Sequence, residues 1–256
     1  MKRKIILSKS QYLRGLQCPK ALWLHRYRPD LKPDIPPARQ YLFDSGREVG
    51  RLAQSYFQGG VEIVAAYNRI EEAVRSTRIE SRRKPAALFE AAALTTDGAY
   101  SRIDIMCHEG KAEAWDLVEV KSTTVVKDYH LDDMAFQRYT FVTAGYEIGN
   151  SFLMHIDNTY VKRNTIDVFK LFRLNDCSDI VRERMSEVPD DLSRFKSILI
   201  TSIEPEVAIG KHCTTPFDCD FIPYCWQNVP KYSVYNIFNG RKLEELLARG
   251  IVDVSD

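Results

Sequence analysis

The chain has 256 residues, 45% of them hydrophobic, with 36 basic against 35 acidic side chains. That hydrophobic fraction supports a buried core and excludes a disordered chain. The balanced charge excludes a global positive field, so any contact with nucleic acid has to come from local patches. No apolar run reaches the roughly 18 residues that span a bilayer, and "MKRKIILSKSQYL" has too short an apolar stretch for a secretory signal. A cytoplasmic protein with no membrane partner is expected, and in that reducing compartment the six cysteines are expected as core thiols or metal ligands, not disulfides.

In chain order, "SKSQYLRGLQCPKALWLHRYRPD" reads as two short helical segments, with Ser8 as N-cap, Pro19 in the first turn of the second, and Cys18 at their junction. After the loop "PDLKPDIPP", residues 38–57 carry Tyr41, Leu42, Val49, Leu52, Ala53 and Phe57 at helical spacing. Gly46 and Gly50, one turn apart there, suit the close approach of another backbone. "NRIEEAVRSTRIESRRK" predicts an exposed, charge-rich helix. Strands are expected at 86–94, 99–109 and 112–122, the last two joined by a tight turn at Gly110-Lys111. Residues 131–146 return to helical spacing, "SFLMHID" is a further strand, 174–202 read as helical, 203–230 as an irregular cysteine-rich segment, and "GRKLEELLARG" as a last short helix. Strand, strand, strand, helix, strand predicts an α/β fold, a mixed sheet flanked by helices.

Side chains alternate along a strand. In "SRIDIMC" the alternation puts Ile103, Ile105 and Cys107 on one face and Arg102, Asp104 and Met106 on the other; in "DLVEVKS" Glu119 and Lys121 share a face. Paired around the turn, the two strands bring Asp104 close to Glu119, and two carboxylates that close repel unless a cation lies between them. A hard divalent ion such as Mg²⁺ takes oxygen ligands, which Asp104, Glu119 and the Val120 carbonyl supply, with Glu90 of the preceding strand assisting through water. Lys121 beside such an ion would orient or deprotonate an attacking water and stabilise charge on a phosphoryl group. The plainer alternative is that Lys121 neutralises two solvent-facing acids, as charged pairs on exposed strands often do.

The segments "SKSQYLRGLQCPKALWLHR", "FDSGREVGRLAQSYFQGG", "LFEAAAL", "SRIDIM", "LVEVKSTT" and "DDMAFQRY", with the C-terminal cysteines, resemble the RecB-like branch of the PD-(D/E)XK nucleases, which includes the CRISPR-associated adaptation nucleases. The likeness runs from residue 8 to about 240. It implies a restriction-endonuclease-like fold, with a nuclease domain at 1–230 and a helical extension or linker at 231–256. It also implies metal ligation by Asp104 and Glu119 with Mg²⁺ or Mn²⁺, a catalytic Lys121, and a Gln137 near the DNA backbone. Two positions depart from the family pattern. Phe141 stands where a tyrosine usually follows the glutamine, with Tyr139 offset by two, and Gly50 stands where many RecB-like enzymes carry a histidine ligand.

Cys213, Cys219 and Cys225 are spaced six residues apart, too widely for the usual paired zinc ligands. The resemblance implies that these three and the distant Cys18 hold a [4Fe-4S] cluster, whose binding free energy would fasten the two ends of the chain together. Cys107 and Cys177 read as core thiols. Arg75, Arg78 and Arg82 form one face of the charge-rich helix, followed by Arg83 and Lys84. With Arg102, Gln137 and Tyr139 they are the expected nucleic-acid contacts. The expected activity is a metal-dependent deoxyribonuclease, exonuclease-type, acting on single strands or ends. The alternative is a nucleic-acid-binding iron-sulfur module with little or no cleavage, and a further nuclease-like domain or protein is a possible partner.

Overall fold

The computed structural model describes residues 5–108, 114–238 and 240–255; the turn expected at Gly110-Lys111 lies outside them. A two-residue strand β1 (Leu7–Ser8) runs straight into α1 (Lys9–Gln17). Ser8 starts that helix with a reciprocal cap: its Oγ accepts from Gln11 N at 3.4 Å while Gln11 Oε1 accepts from Ser8 N at 2.9 Å. Pro19 opens α2 (Pro19–Tyr27), where its missing N–H leaves nothing unpaired. There follow α3 (Pro37–Gln54), β2 (Val61–Glu62), α4 (Ile70–Ser81), β3 (Ala87–Leu94), β4 (Ala99–Cys107), β5 (Trp115–Lys121), α5 (Asp128–Thr143) and β6 (Ile148–Ile156). The chain continues through α6 (Val168–Leu171), β7 (Phe172–Asp176), α7 (Ser178–Met185), α8 (Val188–Ile200), α9 (Ile222–Cys225) and α10 (Gly240–Ala248).

The strands form one mixed sheet in the order β2-β3-β4-β5-β6-β7, with β1 also paired to β4. β3, β4 and β5 are antiparallel neighbours, and α5 then crosses over to set β6 parallel to β5. This is the mixed α/β plan, a sheet flanked by helices, expected from the element order. Val49 and Ala53 of α3 pack with Phe89, Ile105, Cys107 and Val118 on one face. Phe141 of α5 packs with Leu88, Ala91, Ile103, Met106 and Leu117 on the other. At the edge of the sheet, α1, α5 and α8 meet around Tyr12, Phe136 and Phe195, the Tyr12 and Phe136 rings stacked at 4.5 Å.

Gly15 makes that junction possible, since a Cβ there would lie 2.9 Å from the Phe195 ring carbons. Gly15→Ala is therefore expected to cost about 1–3 kcal/mol by overpacking, read as a shift in the denaturant midpoint; an unchanged midpoint would mean that α1 does not press on α8.

The structure departs from the sequence reading in several places. Residues 174–176, expected as helix, instead complete β7, a short edge strand with an exposed Arg173 whose alternation is too brief to stand out from the helices beside it. Tyr41 and Leu42 are 72% and 65% exposed, so the buried stripe of α3 is Val49 and Ala53. Gly46 and Gly50 meet no other backbone: a Cβ at Gly46 would touch only the Ser122 Oγ at 3.9 Å, and one at Gly50 nothing within 4 Å. The alternation in β4 also breaks, with Ile103 packing on the α5 side and Ile105 and Cys107 on the α3 side. The cause lies across the ladder. Between the pairs Phe89↔Ile105 and Ala91↔Ile103 stands Glu90 with φ of 57°, and the pleat changes phase at Glu90 and Asp104 together. A non-glycine residue held there costs on the order of 1–3 kcal/mol, and such strain gathers at functional sites.

Candidate functional site

The β4–β5 ladder runs Cys107↔Asp116, Met106↔Leu117, Ile105↔Val118, and its next step brings Asp104 level with Glu119. Asp104 Oδ2 accepts the Val120 amide at 2.7 Å. Both acids lie on the floor of an open groove of about 2420 Å³. Glu90, Arg102 and Lys121 share the floor, and Gly46, Arg47, Gly50 and Arg51 of α3 form a wall with Leu42 and Phe43 at its rim.

Glu119 is 2% exposed, and its oxygens are nearly all engaged. Oε1 accepts Lys121 Nζ at 2.5 Å and Lys9 Nζ at 2.8 Å, and Oε2 accepts Gln137 Nε2 at 2.8 Å. Asp133, one helical turn before Gln137 on α5, accepts Lys121 Nζ at 2.7 Å and Gln137 Nε2 at 3.0 Å. Burial works to raise the Glu119 carboxyl, but the Lys121 and Lys9 ammonium groups overcome it and hold that carboxyl well below the usual range. Burial also works against a charged Lys121; Asp133 and Glu119 reverse that and keep it protonated. Buried Asp133, by contrast, is raised.

Asp104 goes the other way. Burial, then the charge of Glu119, push it up to about 7 against the pull of Lys9 and Lys121. A carboxyl raised in the folded state contributes stability that is complete below its ordinary value of 3.8 and lost as pH rises through about 7. Asp104→Asn, neutral throughout, is therefore expected to melt above the wild type at pH 8 but not at pH 4, in the presence of a chelator. An equal gap at both pH values would refute the shift.

The donors here are all oxygen, which suits a hard divalent ion in chemical type. Among the described residues, however, no three His, Cys, Asp or Glu side chains converge tightly enough to hold a single ion. The positive charge at Glu119 is instead supplied by two lysines.

No protein-family model and no curated protein matches the sequence. Solved structures do resemble the fold. The crystal structure of SSO0001 is 10% identical, with a TM-score of 0.42, covering 88% of this chain and 88% of its own. LHK-Exo in complex with dAMP is 11% identical, with a TM-score of 0.42, covering 76% of this chain and 90% of that one. The alkaline exonuclease LHK-Exo from Laribacter hongkongensis is 13% identical, with a TM-score of 0.33 over the same shares of 76% and 90%. Likenesses this distant leave the chemistry to be read from the chain's own side chains.

Away from the groove, Cys18, Cys213, Cys219 and Cys225 line one small cavity of about 20 Å³ together with Ala21, Ile209 and Phe221. None of the six cysteines is in a disulfide. Burial pushes the Cys18, Cys219 and Cys225 thiols up, Cys225 to about 11, and the proximity of other cysteines raises each further. Four thiols line the cavity and match a thiolate-bound group in donor type and number, but among the described residues no three His, Cys, Asp or Glu side chains converge tightly enough to hold a metal ion. The elements around them are tied together independently: Gln17 Nε2 donates to the carbonyls of His212 and Phe217 at 2.8 and 2.7 Å, and buried Asp220 pairs with Arg14, Lys32 and Arg39. Cys107 and Cys177 are core thiols.

Other expected contacts lie elsewhere. Arg75, Arg78 and Arg82 are exposed on α4, outside the groove lining, because α4 packs on β3 through Ala73 and Thr77 and turns its charged face away. Gln137 is fully buried and bonded to two carboxylates, so it positions Glu119 and Asp133 and presents nothing to a ligand in the groove. Tyr139 donates its hydroxyl to Asp97 at 2.8 Å, two residues round the helix from Gln137, and is also outside the groove lining. Arg102 does line it, donating to the Ala65 carbonyl at 2.9 Å. The sequence reading missed Lys9, Asp133, Arg47 and Arg51. Asp133 carried a signal, its i,i+4 spacing from Gln137.

Proposed function

We propose that the chain is a nuclease hydrolysing phosphodiester bonds of DNA, at single strands or ends, with Mg²⁺ or Mn²⁺ held by Asp104, Glu119 and the Val120 carbonyl and with Glu90 beside them. The observation that carries this reading is the meeting of Asp104 and Glu119 from adjacent strands on a groove floor, with the Lys121 ammonium against Glu119. When bound, such an ion would make a coordinated water more acidic and offset charge on the phosphoryl group. Lys121, against Glu119, would orient that water or take its proton and would offset the charge developing on the phosphate. Asp133 and Gln137 hold Glu119 and Lys121 in place. Arg47, Arg51 and Arg102 line the path for a phosphate backbone, so binding should weaken as salt rises. Cys18, Cys213, Cys219 and Cys225 hold a [4Fe-4S] cluster in the same reading, fastening α1 and α2 to the 203–230 segment.

The test is digestion of end-labelled single-stranded DNA by anaerobically purified protein with Mn²⁺, against a chelated control. Product only with Mn²⁺ supports the reading; none under any divalent ion overturns it. A second reading, an iron-sulfur module that binds nucleic acid without cutting it, is favoured by the near-complete occupation of the Glu119 oxygens and by Gly50 bringing no side chain to the groove. Salt-sensitive DNA retention without product would select it.

A further inference from the structure

Lys9 is placed with more care than a surface lysine receives. The residues before it, Leu7 and Ser8, are paired to Ala99 and Tyr100 of β4, the strand that carries Asp104. The reciprocal cap at Ser8 then fixes the first turn of α1, and Lys9 is its first residue. From there Nζ reaches Glu119 Oε1 at 2.8 Å, a contact spanning 110 positions in sequence, and stands 3.6 Å from Asp133 Oδ1.

A carboxylate offers about four lone-pair sites. At Glu119, Lys9 and Lys121 use those of Oε1, and Gln137 takes one on Oε2. An ion that uses Oε1 must displace an ammonium. The two lysines differ in grip: Lys121 is hydrogen-bonded to both Glu119 and Asp133, at 2.5 and 2.7 Å, whereas Lys9 is hydrogen-bonded to Glu119 alone, stands off at 3.6 Å from Asp133, and is slightly more exposed, at 27% against 21%. Lys9 is therefore the more weakly held of the two ammonium groups.

We propose that Lys9 is a resident counter-ion of this site, holding Glu119 in its ligand position and yielding it to a divalent ion by exchange, so that ion binding is coupled to release of the Lys9 ammonium. This rests on the reading of Asp104 and Glu119 as an ion site. Lys9 is thus a positioning residue, and its signature is in binding, apart from turnover.

The experiment measures Mn²⁺ affinity by titration calorimetry for the wild-type protein, Lys9→Met, Lys9→Arg and Glu119→Gln, with circular dichroism and melting curves to establish folding. Lys9→Met should tighten Mn²⁺ about tenfold, equivalent to about 1.4 kcal/mol, while Lys9→Arg, which keeps the charge, should stay near wild type. Affinity unchanged or weaker in Lys9→Met, while Glu119→Gln abolishes binding, overturns the exchange and leaves the ion site standing. Mn²⁺ binding that neither variant alters overturns both. A readout that needs no variant is acetic anhydride labelling of Lys9 in the wild type, followed by mass spectrometry. Saturating Mn²⁺ should raise its modification severalfold, and equal labelling with and without Mn²⁺ overturns the exchange.

Discussion

Lys121→Ala is expected to lower Mn²⁺-dependent DNA cleavage by about 10²–10⁴-fold, the range typical of a positioned proton-bearing group, and Asp104→Ala to abolish it. The two losses have different origins. Asp104→Ala removes an oxygen donor and the acceptor of the Val120 amide, so both the ion site and the local backbone lose a partner. Lys121→Ala leaves the oxygens in place but deletes the charge that, in the proposed reaction, would face the phosphate. It also deletes a bridge between Glu119 and Asp133, though Lys9 and Gln137 still contact Glu119 and Gln137 still contacts Asp133. A melting curve run beside each assay separates lost chemistry from lost fold. Lys121→Arg restores the charge, but its planar fork does not reproduce a compact ammonium, so partial activity is expected. Undiminished cleavage in both alanine variants would remove the hydrolytic assignment.

The central part of this site was legible because it depends on short-range rules. The hairpin register is enough to bring Asp104 toward Glu119, although the alternation expected through Asp104 does not hold, and the Glu-Val-Lys spacing alone puts Lys121 beside Glu119. What stayed hidden depends on long-range contact or on local exceptions. Lys9 reaches Glu119 across 110 positions, and nothing in "SKSQ" distinguishes it from any lysine in the first turn of a helix. Helix α5 is buried on most sides, with Asp133, Gln137 and Arg138 inside, so hydrophobic periodicity could not say which polar residues face inward. Glu90 adopts a left-handed conformation without being glycine, and the resulting phase change in β3 and β4 could not be read from the residue types. Tyr41 and Leu42 belong to the helical pattern of α3 but face solvent, because α3 reaches the sheet only through its later turns.

Replacing Cys18 or Cys213 by serine is expected to strip bound iron and the visible absorption from anaerobically purified protein and to lower its melting temperature sharply. The reasoning begins with what else ties the two ends together. Gln17 reaches two carbonyls of the cysteine-rich segment, Asp220 gathers three cations, and Trp23 Nε1 donates to the Thr201 carbonyl at 3.0 Å. The hydrogen bonds are partly solvent-exposed and contribute about 0.5–1.5 kcal/mol each, and the ion pairs of buried Asp220 offset the desolvation of its charge and add little net stability. A structural metal group contributes on the order of 10 kcal/mol when its site does not exist in the unfolded chain. Loss of even a third of that, about 3 kcal/mol, lowers the melting temperature by about 6–12 °C for a chain of this size. The 203–230 segment, largely irregular between its short helical turns, should then be the first region cut by limited proteolysis. Cys177→Ser serves as the control, since Cys177 packs with Met134, Leu153 and Val181 away from the cavity and should leave iron content unchanged. Stoichiometric zinc in place of iron in the anaerobic wild-type protein would retire the cluster while leaving the fastening argument intact. An unchanged melting temperature in both Cys18→Ser and Cys213→Ser would retire the fastening itself.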